Sequence, residues 1–193
     1  MIDIAIILLP GTDKVRLERC LYSLRNENVP VYFIDGVKGC IGHGRAESMK
    51  SGTNPYVSFV DPDDEVIPGI YTKLMGEAIV HGNPAVIYHN EIIVDSTNNT
   101  IHHGWAYDRT TLAVVPERFH PVLWDAQNER YFHHRGIFRR NNAGPFLDKL
   151  STLHEACEPQ LMQMMSENGK VNYLNEWGYV WNIHGKNTVM EWL

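Results

Sequence analysis

Asp61-Pro62-Asp63-Asp64 gathers three carboxylates into four residues. The stretch follows Tyr56-Val57-Ser58-Phe59-Val60, which has the length and composition of a buried strand. It precedes Glu65-Val66-Ile67-Pro68-Gly69, where Pro68 is placed to open a helix. Carboxylates crowded at the end of a buried strand repel one another and lose hydration, so a bound cation would account for them. Mg²⁺ and similar hard cations take oxygens from one or two carboxylates and complete their shell with water and substrate phosphate. Taken alone, the tetrad fits a turn better than a site, because Asp and Pro are favoured in turns for local backbone reasons. The decision rests on what the rest of the chain brings to it.

The positioning elements read as an α/β succession. Ile2 to Leu9 is apolar on both faces, as in a parallel sheet. Pro10-Gly11-Thr12-Asp13 breaks it and offers a helix N-cap at Thr12 or Asp13. From Lys14 to Asn26, Leu17, Cys20, Leu21 and Leu24 fall on one helical stripe. Val29 to Ile34 is a second strand, ended by Asp35-Gly36, so the start of the chain forms β-α-β with parallel strands. Val37 to Gly44, with three glycines, reads as a loop, and Arg45 to Lys50 as a short helix. A helix is expected from about Pro68 to Val80, then strand-like Ala85 to Tyr88 and Glu91 to Val94. Ile101 to Arg140 has little periodicity and reads as irregular. Weak helical patterning from Phe146 to Leu153 leads to a better helix at Glu158 to Asn168, and Val171 to Leu174 and Gly178 to Ile183 are late strands. Ligands of open α/β sheets bind outside the carboxyl ends of the strands, which is where Asp35 and Asp61 both lie.

Length and composition narrow the class. A chain of 193 residues supports one domain with a full core. A hydrophobic content of 44% and a charged content of 21% are ordinary for a globular protein. No apolar run reaches membrane-spanning length, and no basic region precedes the first apolar run, which argues against a secretory signal. Three cysteines without paired or metal-like spacing fit a reducing compartment, and the expected location is cytoplasmic. A net charge of −6 argues against a broad nucleic-acid-binding face. The pairs His102-His103 and His133-His134 are poor chelators, since neighbours in a strand point to opposite faces. With Arg135, Arg139 and Arg140, the second pair makes a locally basic stretch that reads as a solvated surface or an anion contact.

The order of these features resembles the family 2 glycosyltransferases of the GT-A fold. Leu17-Glu18-Arg19-Cys20-Leu21-Tyr22-Ser23-Leu24 is similar to that family's first helix, Ile34-Asp35-Gly36 to the strand end that cradles the nucleotide base, and Gly44-Arg45-Ala46 to its "A-R-N" helix start. Val60-Asp61-Pro62-Asp63-Asp64 resembles its "D-x-D-D" strand end, and Gly136-Ile137-Phe138-Arg139-Arg140 the strand before the acceptor-side helix. Glu158 stands where the family has its "E-D" catalytic acid, and Tyr179 to His184 looks like the closing strand with its terminal His. The likeness spans nearly the whole chain, and it is the ordered set that carries it. Departures are Val37-Lys38-Gly39 where a second acid often follows, Cys157-Glu158-Pro159 in place of "E-D", and the absence of a processive "Q-x-x-R-W" pattern.

The resemblance implies a single GT-A-like α/β domain, an open, mostly parallel twisted sheet flanked by helices. Residues 1–95 would form a Rossmann-like nucleotide-sugar-binding half and 96–193 an acceptor-side half. It implies metal-dependent, inverting, non-processive transfer of a sugar from a nucleotide-sugar, with a UDP-sugar favoured, to an acceptor hydroxyl. The acceptor itself is open: a saccharide, a lipid-linked glycan, a protein or a modified nucleic acid. Mn²⁺ or Mg²⁺ would sit on Asp63 and Asp61, with His184 completing the shell. Pro10, Gly11, Thr12, Asp35, Arg45 and Asp61 would bind the donor. Asp35 can accept a hydrogen bond from a uracil imide N–H, which cytosine lacks. Arg45 is expected to hold a phosphate or to organise Asp35. Glu158, or failing it Glu155, would take the acceptor proton as general base. Asp64 is expected to cap the turn instead of binding the metal. Two other readings stay open: a nucleotidyltransferase, and a non-catalytic nucleotide-sugar-binding protein of the same fold.

Overall fold

The computed structural model describes residues 1–97, 99–104, 135–154 and 157–184. Eight strands form one sheet. In order across it lie β2 (Val31–Asp35), β1 (Ile2–Leu8), β3 (Tyr56–Val60), β7 (Gly136–Arg139), β5 (Val86–Asp95), β8 (Val171–Ile183) and β4 (Glu65–Val66); β6 (Thr100–Gly104) pairs with β5 off this path.

Strict alternation along the central strands builds three layers. Ile2, Ile4, Ile6, Tyr56 and Val60 face one side, where they meet Cys20 and Leu24 of α1 (Lys14–Leu24) and Ile70, Leu74 and Ala78 of α3 (Ile70–Val80). Ala5, Ile7, Val57 and Phe59 face the other side. There they meet Ala46 and Met49 of α2 (Ile41–Lys50), Ala143 of α4 (Arg140–Ala143), Leu150 of α5 (Leu147–Ser151) and Leu161 and Met165 of α6 (Cys157–Glu167). Period-two side chains on a strand covered by helices on both faces explain why β1 and β3 read as unbroken apolar runs.

The pairing β2-β1-β3 is parallel throughout, as the β-α-β reading requires. Beyond β3 the sheet is mixed: β3–β7, β5–β7, β5–β6 and β4–β8 are antiparallel and β5–β8 is parallel. The expectation of a mostly parallel sheet thus holds for its first half only. The two strand-like stretches at 85–94 are one strand, β5, and those at 171–183 are one strand, β8, and the register between them shifts around Asn90.

Of the two caps expected for α1 the structure uses one, whereas the starts of α2 and α3 differ from expectation. α1 is capped by Asp13, which accepts from the backbone N–H groups of Val15 (2.9 Å) and Arg16 (3.3 Å). Thr12 instead closes the preceding turn, accepting from the Leu9 N–H and donating to the Leu9 carbonyl. α3 begins at Ile70 behind a left-handed Gly69 rather than at Pro68. The glycine-rich 37–44 segment is loop only to Cys40, since α2 starts at Ile41 and includes Gly42 and Gly44. Those glycines serve close packing. A Cβ on Gly42 would fall against the Leu150 and Leu153 carbonyls, 2.6 Å from the latter, and one on Gly44 would meet Ile7 at 2.8 Å.

The basic residues near 135–140 are committed to structure. Arg135 pairs with Glu91, both buried. Arg139 donates to the Asn83 carbonyl, and Arg140 binds Asp3 (2.9 Å) and the carbonyls of Ser48, Met49 and Asn54. They are not the anion-binding surface that the sequence allowed. His133-His134 and Glu155 lie outside the described residues, and no side-chain placement is described for His102 and His103.

Candidate active site

The carboxyl ends of β2, β1 and β3 open into one cleft of about 530 Å³. Its wall runs from Val37, Lys38 and Gly39 after β2, through Leu9 to Asp13 after β1, to Asp61, Pro62 and Asp63 after β3, with His184 and Arg45 closing that end. Of the residues singled out from sequence, Pro10, Gly11, Thr12, Arg45, Asp61, Asp63 and His184 therefore share one cavity. Asp35 does not line it: it ends β2 with an exposed side chain. Glu158 is not part of the lining either, yet it is tied to the cleft through Arg45.

Arg45 is the centre of the arrangement. It projects from the second turn of α2, is only 1% exposed, and stands 4.8 Å from the Phe59 ring. Its Nη2 lies 3.2 Å from Asp61 Oδ1 and 3.2 Å from Glu158 Oε1. Burial alone would lower its pKa, but the two carboxylates outweigh it and hold the guanidinium firmly charged. The expected link from Arg45 to Asp35 is absent, and Asp61 and Glu158 take its place. One buried cation thus joins the acid at the end of β3 to the acid at the start of α6.

The acidic tetrad divides its labour. Asp64 is 2% exposed and faces inward, accepting from the Tyr179 hydroxyl (2.8 Å) and the Asn182 backbone N–H (2.8 Å). Burial, with Asp61 and Asp63 close by, raises its pKa well above the usual carboxylate value. The Tyr179 hydroxyl oxygen also accepts from the Asp61 N–H (3.1 Å), and Asn182 Nδ2 donates to the Asp63 carbonyl (3.1 Å). Arg19 reaches the same carbonyl from α1 at 3.3 Å and pairs with Glu65 at 3.0 Å. Asp64, Tyr179 and Asn182 therefore pin the loop to β8, which leaves Asp61 and Asp63 turned to the cleft. Sequence reasoning did not assign Tyr179, Asn182 and Arg19 to the site; the only signal was their position on elements flanking it.

Asp63 Oδ2 lies 2.6 Å from His184 Nε2, 121 residues away in sequence. Carboxylate oxygens suit Mn²⁺ or Mg²⁺, the imidazole nitrogen is a poor match for the harder Mg²⁺, and Asp61 stands on the same loop. In the arrangement described, Asp63 and His184 face each other directly. Among the described residues no three His, Cys, Asp or Glu side chains are grouped to hold a metal ion.

Comparison with solved structures supports the architecture. TarS of S. aureus, a glycosyltransferase, superposes in its 1–349 form with UDP-GlcNAc at a TM-score of 0.65 and 15% identity, over 100% of this chain and 61% of that one. The same form with UDP gives 0.56 and 14%, over 95% and 61%. A longer TarS structure gives 0.61 and 13%, over 96% and 37%. The chain shares the mixed α/β fold of these TarS structures, a sheet flanked by helices. The chain spans between 37% and 61% of the length of these TarS structures. No protein-family model and no curated protein sequence matches it. No helix among the described residues is long and apolar enough to cross a membrane.

Proposed function

We propose that this chain is a glycosyltransferase unit that moves a sugar from a nucleotide-sugar, a UDP-sugar in particular, to an acceptor hydroxyl with inversion. The observation that carries the reading is the convergence, in one cleft of a fold shared with TarS, of residues from the ends of β1, β3 and β8 that the sequence had singled out separately. The UDP-GlcNAc and UDP complexes of TarS agree with a donor of that class.

In this reading the turn Pro10-Gly11-Thr12 presents backbone groups to the nucleotide, and the Asp63–His184 end faces the diphosphate. Asp63, with His184 or Asp61 as a second ligand, would hold Mn²⁺ or Mg²⁺ together with water and diphosphate oxygens, and the metal's charge would offset that of the departing diphosphate. Glu158 takes the acceptor proton. Arg45 keeps it oriented beside the donor end of the cleft, where a base must stand within hydrogen-bond reach of the attacking hydroxyl. A single displacement assisted by that base gives inversion. The Asp61–Arg45–Glu158 bridge puts donor and base in one frame, and positioning of this kind accounts for a large part of catalytic rate.

Calorimetric titration of UDP with and without Mn²⁺ tests the reading. Binding that Mn²⁺ strengthens, and that loses its Mn²⁺ dependence in Asp63→Asn, is the expected outcome. UDP binding that is absent in the wild type overturns the donor assignment; binding indifferent to both Mn²⁺ and Asp63 overturns the metal assignment alone.

A further inference from the structure

The cleft has two chemically different ends, and topology fixes their order. Strand β1 lies between β2 and β3, so the loop after β2 and the loop after β3 are separated by two strand spacings, roughly 10 Å. That is the reach from a diphosphate to the far edge of its base. The β3 end carries Asp61, Asp63 and His184. The β2 end is lined by apolar Val37 and Ile41, with the backbone of Gly39 and one cationic side chain, Lys38.

Lys38 is exposed at the cleft wall and has no ion-pair partner among the described residues. Arg16, the other cation near the β1 loop, is already occupied by Asp13 at 3.7 Å. Asp35, the acid that the sequence suggested for reading the base, lies outside the lining. The loop that carries Lys38 is held from beneath. Cys40 Sγ donates to the Ser151 and Leu153 carbonyls (3.4 Å each), the Gly42 N–H donates to the Leu153 carbonyl (3.1 Å), and His154 Nδ1 bonds the Gly39 carbonyl (3.0 Å). The backbone under Lys38 is therefore set, and only its side chain has freedom.

We propose that Lys38 reads the base of the donor and selects a carbonyl over an amino group at its outer edge. The proposal rests on the nucleotide-donor reading above. With the diphosphate at the Asp63 end, a pyrimidine ring enters the β2 end between apolar walls. Ring position 4, opposite the glycosidic nitrogen, then points outward to Lys38. Uracil carries an oxygen acceptor there and cytosine an amino donor. An ammonium group has three donors and no acceptor, so it satisfies the first and opposes the second. Selection comes from this donor–donor conflict as much as from the bond formed.

The test measures UDP and CDP affinities by calorimetry in Mn²⁺ for the wild type, Lys38→Met and Lys38→Glu. Lys38 is exposed, so both variants keep the fold. The wild type is expected to prefer UDP by about tenfold, the factor to which one charge-assisted hydrogen bond converts. Lys38→Met should bring the ratio near unity by weakening UDP, and Lys38→Glu should turn it toward CDP, because a carboxylate accepts from the amino group. A UDP/CDP ratio unchanged in both variants overturns the proposal. So does equal weakening of both ligands, which would make Lys38 a phosphate contact. A wild type that binds UDP and CDP equally well overturns it while leaving the donor reading intact. A wild type that binds neither nucleotide removes the donor reading on which it stands.

Discussion

Replacing Arg45 by Met tests whether one buried cation holds the two acids in place. The side chains have similar length, so the loss is one of charge and hydrogen bonds more than of volume. Glu158 has a side chain only 13% exposed, and without Arg45 it keeps little solvent to offset its charge. Breaking a buried ion pair from one side costs about 3–5 kcal/mol. Asp61 is 38% exposed, so water screens it and its share is only about 0–1 kcal/mol. Contact with the Phe59 ring adds about 0.5–1 kcal/mol. Because Glu158 can turn toward water, the lower part of the combined range applies, and Arg45→Met should lower unfolding free energy by about 4 kcal/mol. Urea melts followed by tryptophan fluorescence and far-UV circular dichroism measure it, provided the two probes coincide. The decisive arm is the cycle with Glu158→Gln. In the Arg45→Met background that second change removes the stranded charge and should recover about 1–2 kcal/mol, a coupling typical of groups in direct contact. Arg45→Lys should fall between, since an ammonium cannot offer the planar fork that meets two carboxylates at once. A loss below about 1 kcal/mol in Arg45→Met, with no coupling to Glu158→Gln, would refute the bridge.

Gly42→Ala should destabilise by about 2 kcal/mol or more although alanine is the better helix former, because its methyl group meets two backbone carbonyls that cannot move aside. Gly44→Ala meets only the Ile7 side chain and should lose less; thermal melts of the two variants give the order. The three cysteines should separate under iodoacetamide at pH 8 in the native state. Burial, with the nearby acids Asp64 and Asp61, pushes the Cys20 thiol up to about 12, and burial likewise raises Cys157. Cys40 is half-buried and should carry nearly all of the label in intact-mass and peptide spectra.

Much of the scaffold was legible because it is local. The apolar runs Ile2 to Leu9 and Tyr56 to Val60, the stripe of Leu17, Cys20, Leu21 and Leu24, and the Asp13 cap each lie within a few residues, and each is part of the structure. The start of α2 was misread as loop because glycine signals turns in sequence. Here Gly42 and Gly44 are set by the approach of residues 150–153 and of Ile7, which no local pattern records. Strands β5 and β8 looked like four pieces because Asn90 and Asn175 are poor strand formers. A cluster joining buried Asn90 to half-buried Tyr173 and exposed Asn175 gives those polar groups partners.

The candidate site shows the same division. Sequence alone determined which groups were available: three acids at a strand end, a late histidine, an arginine within a helix, and a glutamate opening another. Tertiary structure decided their partners. Arg45 meets Asp61 and Glu158 across 16 and 113 residues, and Asp63 meets His184 across 121. It also turned Asp64 inward to Tyr179 and left Asp35 outside the cleft. Ionisable side chains a few residues apart have no intrinsic preference for one cleft over solvent. That choice follows from which face of the sheet each strand end presents and which buried charge needs a counter-charge, and both are settled only when distant segments pack together.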